Sequence, residues 1–368
     1  MDWWLENLDI IGMPEPNKEM SELIEEAIKL DATDIHLTVG RPPILRIDSK
    51  LRPVEGKGML DNEKVKELSF SLINKEQEER FWAYKDIDLS FSYGEKARFR
   101  VNIYQQTGRI ATALRLLPTK IRTIEQLNLP PMMHQFTPIS QGFFLVVGPS
   151  GHGKSTALAA LVDEINHTRQ DHIITIEDPI EYLFVQDKCI VDQREIGVDA
   201  IDFHRALRGM FREDADVVMV GEMRDPETIS TAITAAETGH LIFSTLHTNT
   251  AAQTIDRIID TFPPHQQNQI RMQLASTLLG ILSRRLLPCT KGGLINAVEL
   301  LIVNSAVRNL IREGKIHQID MVIETSSDAG MISLNRSLAS LISQGLVSYE
   351  DAEIYSINPA ELRMLLEK

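Results

Sequence analysis

The stretch Gly148-Pro149-Ser150-Gly151-His152-Gly153-Lys154-Ser155 decides the fold of this chain. It fills every fixed position of G-x-x-x-x-G-K-[ST], follows the apolar run GFFLVV at 142–147, and precedes the helical text TALAALVDEINH at 156–167. That order of strand, loop and helix is what a triphosphate needs. Glycines at 148, 151 and 153 remove side chains where backbone N–H groups must close on phosphate oxygens. The helix that follows turns its positive end toward the same anion. In this reading Lys154 reaches the β- and γ-phosphates, and the Ser155 hydroxyl ligates Mg²⁺. Ser150, Gly151, His152, Gly153 and Thr156 complete the ATP-binding stretch. His152 fills a free position of the pattern and has no required role there.

Working outward, apolar strand text alternates with helical text. HIITIE (172–177) is followed by FHRALRGMFRE (203–213), and DVVMVG (216–221) by PETISTAITAAETG (226–239). HLIFSTL (240–246) leads into AQTIDRIIDTF (252–262). Such alternation predicts an α/β domain with a parallel-rich sheet covered by helices on both faces, here over 138–290. The text of 291–368 reads as mostly helical, with NSAVRNLIREG and LNRSLASLISQG its clearest helices. Upstream, IHLTV, PPILRID, LSFSY and RFRVNIYQQ alternate apolar and polar residues as half-buried strands do, and helical text lies at 62–73 and 75–83. This predicts a small α+β domain over 19–117, with a hairpin turn at Gly94-Glu95-Lys96. An amphipathic helix is expected from Ser21 to Leu30, capped by Ser21. Residues 118–137 hold three prolines and no period, and read as a linker. Residues 1–18 read as a loose extension in which Trp3 and Trp4 cover a local apolar patch.

Composition narrows the function. The chain has 368 residues, of which 43% are hydrophobic and 24% charged, so it carries enough apolar text for packed domains. Two cysteines, Cys189 and Cys289, make neither a disulfide framework nor a four-cysteine zinc site, and a cytoplasmic location is expected. The N-terminus lacks a basic region, so no secretory signal is expected, and no apolar run approaches the ~20 residues of a membrane span. A net charge of −14 argues against nucleic acid as the partner.

A phosphate loop needs an acidic group for metal or water, and two strand ends offer one. HIITIE runs into Glu177-Asp178-Pro179-Ile180-Glu181, and DVVMVG runs into Glu222. Carboxyl ends of parallel strands face the nucleotide crevice, so both clusters fit. Glu222 is the first choice for orienting or deprotonating water, or for holding Mg²⁺ through water; Glu181 is the second. Asp216 opens its strand at the far edge and reads as structural. His240 and His247 bracket the strand HLIFSTL, and either could sense the γ-phosphate or a neighbouring subunit. Transfer also calls for a further positive charge, for which Arg98, Arg100, Arg109 and Arg115 are available.

TIEDPIEYLF (175–184), VGEMRDPETISTAITAAETGHLIFSTLHT (220–248) and NSAVRNLIRE (304–313) resemble the secretion ATPases of type II secretion and type IV pili, and among them the pilus-retraction, or twitching-motility, ATPases. The resemblance runs from about Glu19 to the C-terminus. It implies a RecA-like P-loop motor domain preceded by a PAS-like α+β domain and followed by C-terminal helices. It also implies an Asp box over Thr175–Glu181 with Glu181 its acid, Glu222 as the Walker B acid, and His240 and His247 as the His box. A homohexamer is implied, in which the N-terminal domain of one subunit completes the site of the next; Arg100 and Arg115 are the arginines expected to do so. ATP with Mg²⁺ would drive an inner-membrane pilus platform protein from its cytoplasmic face, and the extension ATPase and an accessory retraction ATPase are further expected partners. Ala306–Glu313 resembles an AIRNLIRE element of the retraction motors, with Val307 for Ile. From its own spacing it is an amphipathic helix with Ala306, Leu310, Val307 and Ile311 inward, and Arg308 and Arg312 on one face. A pilus-extension or type II secretion assembly ATPase and the accessory retraction ATPase stay open as alternatives.

Overall fold

The computed structural model describes residues 15–47, 50–94, 96–117 and 120–367. Trp3, Trp4 and Glu95 lie outside the described residues. The chain divides into two compact units, one formed by the chain up to Lys120 with Pro179–Leu183, the other by Ile121–Asp178 with Phe184–Lys368.

The first unit is a six-stranded antiparallel sheet with helices on one face. Its elements are α1 (Lys18–Lys29), β1 (Asp34–Thr38), β2 (Ile44–Ile47), β3 (Lys50–Pro53), α2 (Asn62–Phe70), α3 (Lys75–Tyr84), β4 (Asp86–Tyr93), β5 (Ala97–Gln106) and β6 (Arg109–Leu117), in strand order β3-β2-β1-β6-β5-β4. The alternation read in the sequence sorts the sheet's two faces. Ile35, Leu45, Leu89, Val101 and Leu114 point into a core shared with the helices, where Phe81, Met20 and Leu23 are buried. The other face carries Asp34, Arg46, Arg100 and Arg115. The cap of α1 is Asn17, whose side chain accepts from the Met20 N–H; Ser21 lies inside the helix. The helix therefore starts three residues earlier than its apolar stripe suggested, because Asn at this position satisfies one of its free N–H groups.

The second unit is a seven-stranded sheet in the order β13-β12-β7-β11-β10-β8-β9. Its strands are β7 (Gly142–Val147), β8 (His172–Glu177), β9 (Ile190–Glu195), β10 (Val217–Val220), β11 (Leu241–Leu246), β12 (Leu278–Pro288) and β13 (Leu294–Ile302). Every pairing is parallel except β12 with β13. Helices α4 (Lys154–Thr168), α5 (Phe203–Met210), α6 (Pro226–Glu237), α7 (Ala251–Asp260) and α8 (Pro264–Thr277) connect them, and α9 (Ser305–Glu313), α10 (Ile319–Thr325), α11 (Leu334–Ser343), α12 (Tyr349–Tyr355) and α13 (Pro359–Leu366) follow. Strands β7, β10 and β11 are buried along their whole length, as continuous apolar runs covered on both faces must be.

Three expectations are corrected here. The sheet runs past the expected boundary at residue 290: β13 lies in the region 291–368, which is otherwise mostly helical. Both β12 and β13 are buried on two faces and show no period of two to give them away. Residues 121–137 are not a free linker, since Ile124, Leu127, Leu129, Met133 and Phe136 are buried in the second unit and the Phe136 ring lies 4.4 Å from that of Phe144. Prolines at 130 and 131 set a 3₁₀ turn over Pro131–Gln135 without preventing that burial. On α9 the inward residues are Val307 and Ile311; Ala306 faces solvent and Leu310 is half-buried.

Gly280 marks a tight point of this core. A Cβ there would meet the Leu301 carbonyl at 2.8 Å and the Phe144 ring at 2.9 Å, where the register of β12 on β7 slips by one residue. Gly280→Ala should therefore cost about 1–3 kcal/mol, as overpacking does. Chemical denaturation measures it, and an unchanged midpoint would show that the sheet yields at this point.

Candidate active site

The phosphate loop leaves the end of β7 and enters α4, whose first residue is Lys154. Gly148, Gly151 and Gly153 all have φ in the left-handed region, at +145°, +78° and +74°. Gly148 has a second reason to lack a side chain: a Cβ there would lie 2.6 Å from the Arg284 carbonyl on β12. Lys154 is 7% exposed and curls over the loop, its Nζ donating to the carbonyls of Gly148 at 2.9 Å and Pro149 at 3.0 Å. A phosphate entering the loop offers that ammonium stronger, charged acceptors than these carbonyls.

Glu222 and His247 stand at neighbouring strand ends and meet at the loop. Thr245 on β11 donates through Oγ1 to the Gly221 carbonyl at 2.6 Å, and Ser244 donates to the Val220 carbonyl at 2.8 Å, so the end of β10 is tied to β11. Gly221 leaves little room for a side chain, since a Cβ there would press on the Ile176 carbonyl at 3.3 Å and the Glu177 backbone at 3.4 Å. The next residue, Glu222, then lies between two basic groups: its Oε1 is 2.5 Å from Arg224 Nη2 and its Oε2 3.4 Å from His247 Nε2. On the other side of the ring, His247 Nδ1 is 3.3 Å from Lys154 Nζ and 3.5 Å from Ser150 Oγ. Lysine ammonium only donates, so Nδ1 accepts and Nε2–H faces the carboxylate. The imidazole thereby bridges the phosphate loop and Glu222.

His152 is part of the loop's anchorage. Its Nδ1 accepts from the Leu286 N–H at 2.9 Å, fixing the loop to β12, and its ring stands edge-on to Tyr355. Burial, followed by the charges of Arg285, Lys154 and Arg284, pushes its pKa down, which keeps the acceptor form that this bond requires. Arg284, 2% exposed, donates through Nη1 to the Gly153 carbonyl and through Nε to Asn296 Oδ1 at 3.1 Å. Arg285 holds the segment after His247, donating to the Asn249 carbonyl at 3.1 Å and to its Oδ1 at 3.0 Å. Beside the loop, Gly153, Thr156, Arg284, Leu286, Asn128 and Ile295 help line a cavity of about 340 Å³. Apolar and polar walls next to the phosphate loop suit a nucleoside.

The remaining sequence candidates are placed elsewhere. His240 precedes β11 at the opposite end of the strand from the phosphate loop; its Nδ1 lies 3.0 Å from the Ala235 carbonyl and its ring packs on Phe211. Of the two histidines that bracket β11, His247 is the one beside the phosphate loop. Glu177 is buried and accepts from Thr175 Oγ1 at 2.7 Å and Gln193 Nε2 at 3.2 Å. Glu181 lies in Pro179–Leu183, which packs with the first unit. Asp216 accepts from the His172 N–H, a structural use. Arg98 is buried and donates to Ser90, Ser92 and the Ile180 carbonyl, whereas Arg100 and Arg115 stand opposite each other on an outward sheet face. Sequence reading missed Arg224, Arg284, Arg285 and Asn249. For the two β12 arginines a signal existed: a charged pair set inside the apolar text LLGILSRRLLP.

Among the described residues no cluster of three His, Cys, Asp or Glu side chains could cage a metal. The Ser155 hydroxyl and the Glu222 carboxylate are hard oxygen donors of the kind Mg²⁺ takes, with its other positions left to water and phosphate oxygens. The residues therefore fit that ion.

Known proteins resemble this chain over nearly its whole length. The family model described as type II/IV secretion system protein matches residues 16–346. The chain is 41% identical over 334 residues to the type IV pilus retraction ATPase PilT of Pseudomonas aeruginosa, covering 91% of this chain and 97% of that protein. It is 42% identical over 311 residues to a twitching motility protein of Neisseria gonorrhoeae, covering 84% of this chain and 83% of that one. The crystal structure of the pilus retraction motor PilT with bound ADP matches with a TM-score of 0.87 at 46% identity, covering 93% of this chain and 98% of that one.

Behind β12 lies a group with a pH signature. Glu299 on β13 is 5% exposed and accepts from the Ala251 N–H at 2.7 Å; burial pushes its pKa up to about 7. Between its ordinary value of 4.5 and 7 the folded chain holds a proton that the unfolded chain has lost. Stability from this group is therefore full below that window, falls as pH rises through it, and is flat above. Glu299→Gln keeps an acceptor for Ala251 and removes the titration. Its stability relative to the parent should rise by up to about 3 kcal/mol between pH 5 and pH 8. Denaturation at the two pH values tests this; parallel pH dependences would refute it.

Proposed function

The chain belongs to the type II/IV secretion system protein family, and from that premise we propose that it is an ATP-hydrolysing motor that drives retraction of type IV pili. The observation that carries the reading is the near full-length likeness to the retraction ATPase at 41% identity, together with a phosphate loop whose Lys154 is joined through His247 to Glu222.

ATP enters with its phosphates on the loop and its nucleoside in the adjoining cavity. Lys154 leaves the loop carbonyls for the β- and γ-phosphates. Mg²⁺, when bound, neutralises phosphate charge; Ser155 would hold it directly and Glu222 through water. Glu222 orients the attacking water and accepts its proton, with Glu181 the second candidate for that work. His247 donates to Glu222 and so registers at the loop whether the carboxylate is engaged. Arg224 draws Glu222 toward one position before the nucleotide arrives. Arg100 and Arg115 supply positive charge to the γ-phosphate of the neighbouring subunit, and His240 serves the boundary between subunits instead of the phosphate.

The assembly is a homohexamer at the cytoplasmic face of the inner membrane. No helix among the described residues is long and apolar enough to cross a membrane. Closing and opening of subunit interfaces turns a basic platform protein, for which a chain of net charge −14 is suited. The extension ATPase and an accessory retraction ATPase act at the same base. Helix α9, with Arg308 and Arg312 near its surface, belongs to the output of the motor and not to turnover.

Two outcomes are expected. Glu222→Gln should retain ATP binding and lose turnover by roughly 10²–10⁴-fold, as removal of a general base does; Lys154→Ala should lose both. Steady-state ATPase and nucleotide-binding assays measure this, and full turnover in the glutamine variant would shift the role to Glu181. Deleting the gene should leave cells with excess surface fibres and no surface motility. Bald cells would mean that the motor assembles fibres instead.

A further inference from the structure

The outward face of the first unit's sheet holds a row of charge that includes two carboxylates to which the function above gives no role. Cross-strand register puts Arg46 on β2, Asp34 on β1, Arg115 on β6 and Arg100 on β5 directly beside one another, four neighbours on one face. Asp88 of β4 lies diagonal to Arg100 on that face. Side by side, Arg100 and Arg115 are like charges on paired strands, an arrangement that is destabilising by itself. Each is flanked on its far side by a carboxylate. Asp34 accepts from Arg115 Nε at 2.9 Å; Asp88 accepts from Arg100 Nε at 3.1 Å and Nη2 at 2.5 Å.

Asp34 is built into the sheet. It is 7% exposed although it is charged, while the Arg115 side chain it holds is 69% exposed. Thr33 Oγ1 donates to its Oδ2 at 2.8 Å, and Arg46 Nε lies 3.4 Å from the same oxygen. Burial alone would push its carboxyl up, but the Thr33 hydroxyl and the Arg115 guanidinium outweigh this and leave it below its ordinary value, so it is ionised at neutral pH. An isolated surface ion pair would contribute almost nothing. Here the carboxylate is rigid, and it grips Arg115 at Nε, the root of the guanidinium. The terminal amino groups are left for an incoming anion. Asp88 grips Arg100 along one whole edge, so the two arginines are held differently.

We propose that Asp34 and Asp88 are positioning residues that set the spacing and direction of Arg115 and Arg100 for a phosphoryl group. This rests on the reading above that those arginines act on a neighbouring subunit's nucleotide. The charge they carry would be present without the carboxylates, but its geometry would not be, and misplacement of a stabilising charge lowers the rate of transfer more than it weakens binding.

The test is a double-mutant cycle on the full-length assembly, with kcat, KM and nucleotide binding measured for Asp34→Asn, Arg115→Gln and the double variant. Expected is a fall in kcat of roughly 10- to 100-fold in each single variant with binding and KM little changed. The double variant should be no slower than Arg115→Gln, and Asp34→Glu should recover part of the rate. If Arg115→Gln turns over normally, the role of that arginine fails and this inference with it. If Arg115→Gln is slow but Asp34→Asn is normal, or if the two losses multiply, only the positioning role is overturned. Should Asp34→Asn fail to fold, Asp88→Asn with Arg100→Gln runs the same cycle on the neighbouring pair, with the same outcomes deciding.

Discussion

The rest of the second unit depends on how closely the phosphate loop can approach β12. The Arg284 carbonyl lies where a Cβ of residue 148 would be, the Arg284 guanidinium takes the Gly153 carbonyl, and His152 takes the Leu286 N–H. The loop is thus held from one side by backbone and buried arginine. Its N–H groups are left to face the anion. The same strand reaches through Arg285 to Asn249, two residues beyond His247, and Ser283 donates to the same Asn249 carbonyl at 2.8 Å. One strand therefore fixes both walls of the crevice, the loop and the His247 segment. That is preorganisation of the kind phosphoryl transfer needs, since the chemistry asks mainly for position and charge.

Much of this was legible in the sequence, for physical reasons. Gly148–Ser155 announces itself because each fixed residue answers a separate demand of a phosphate. The parallel strands β7, β10 and β11 are short apolar runs bounded by helices, and the first unit's strands alternate because only one of their faces is buried. Glu222 and His247 were legible from their strand ends. What escaped were features set by long-range packing. Strands β12 and β13 are buried on both faces over most of their length and carry no alternation, and β13 lies in text that otherwise reads as helix. His240 and His247 could not be ranked from sequence, because their partners, the Ala235 carbonyl and the Lys154 ammonium, are set by the fold. Residues 121–137 looked like a linker because proline signals a break in periodicity, and burial of Phe136 against Phe144 leaves no trace in local pattern. Arg224 could not be ranked without seeing Glu222 beside it.

Charge is used sparingly. In a chain of net charge −14 the basic groups near the nucleotide are few, and each is held by a specific partner. Lys154 is kept on loop carbonyls, Arg284 on Gly153 and Asn296, and Arg224 on Glu222. Arg100 and Arg115 are kept on Asp88 and Asp34 in the other unit. Such pairing holds cations in place at little net energetic gain, because the desolvation and entropy of each pair offset most of its attraction. Its value is geometric. At Lys154 a phosphate entering the loop offers stronger, charged acceptors than the loop carbonyls, so that binding and rearrangement of that side chain are one event.

Everything about this site comes down to whether hydrolysis at the loop is converted to withdrawal of a filament. Fluorescently labelled pili followed in living cells test it most directly, with Glu222→Gln replacing the chromosomal copy. Fibres should extend to full length and then stay out, with retraction events lost while the protein still binds ATP. Retraction at the parental frequency and speed in those cells would contradict it.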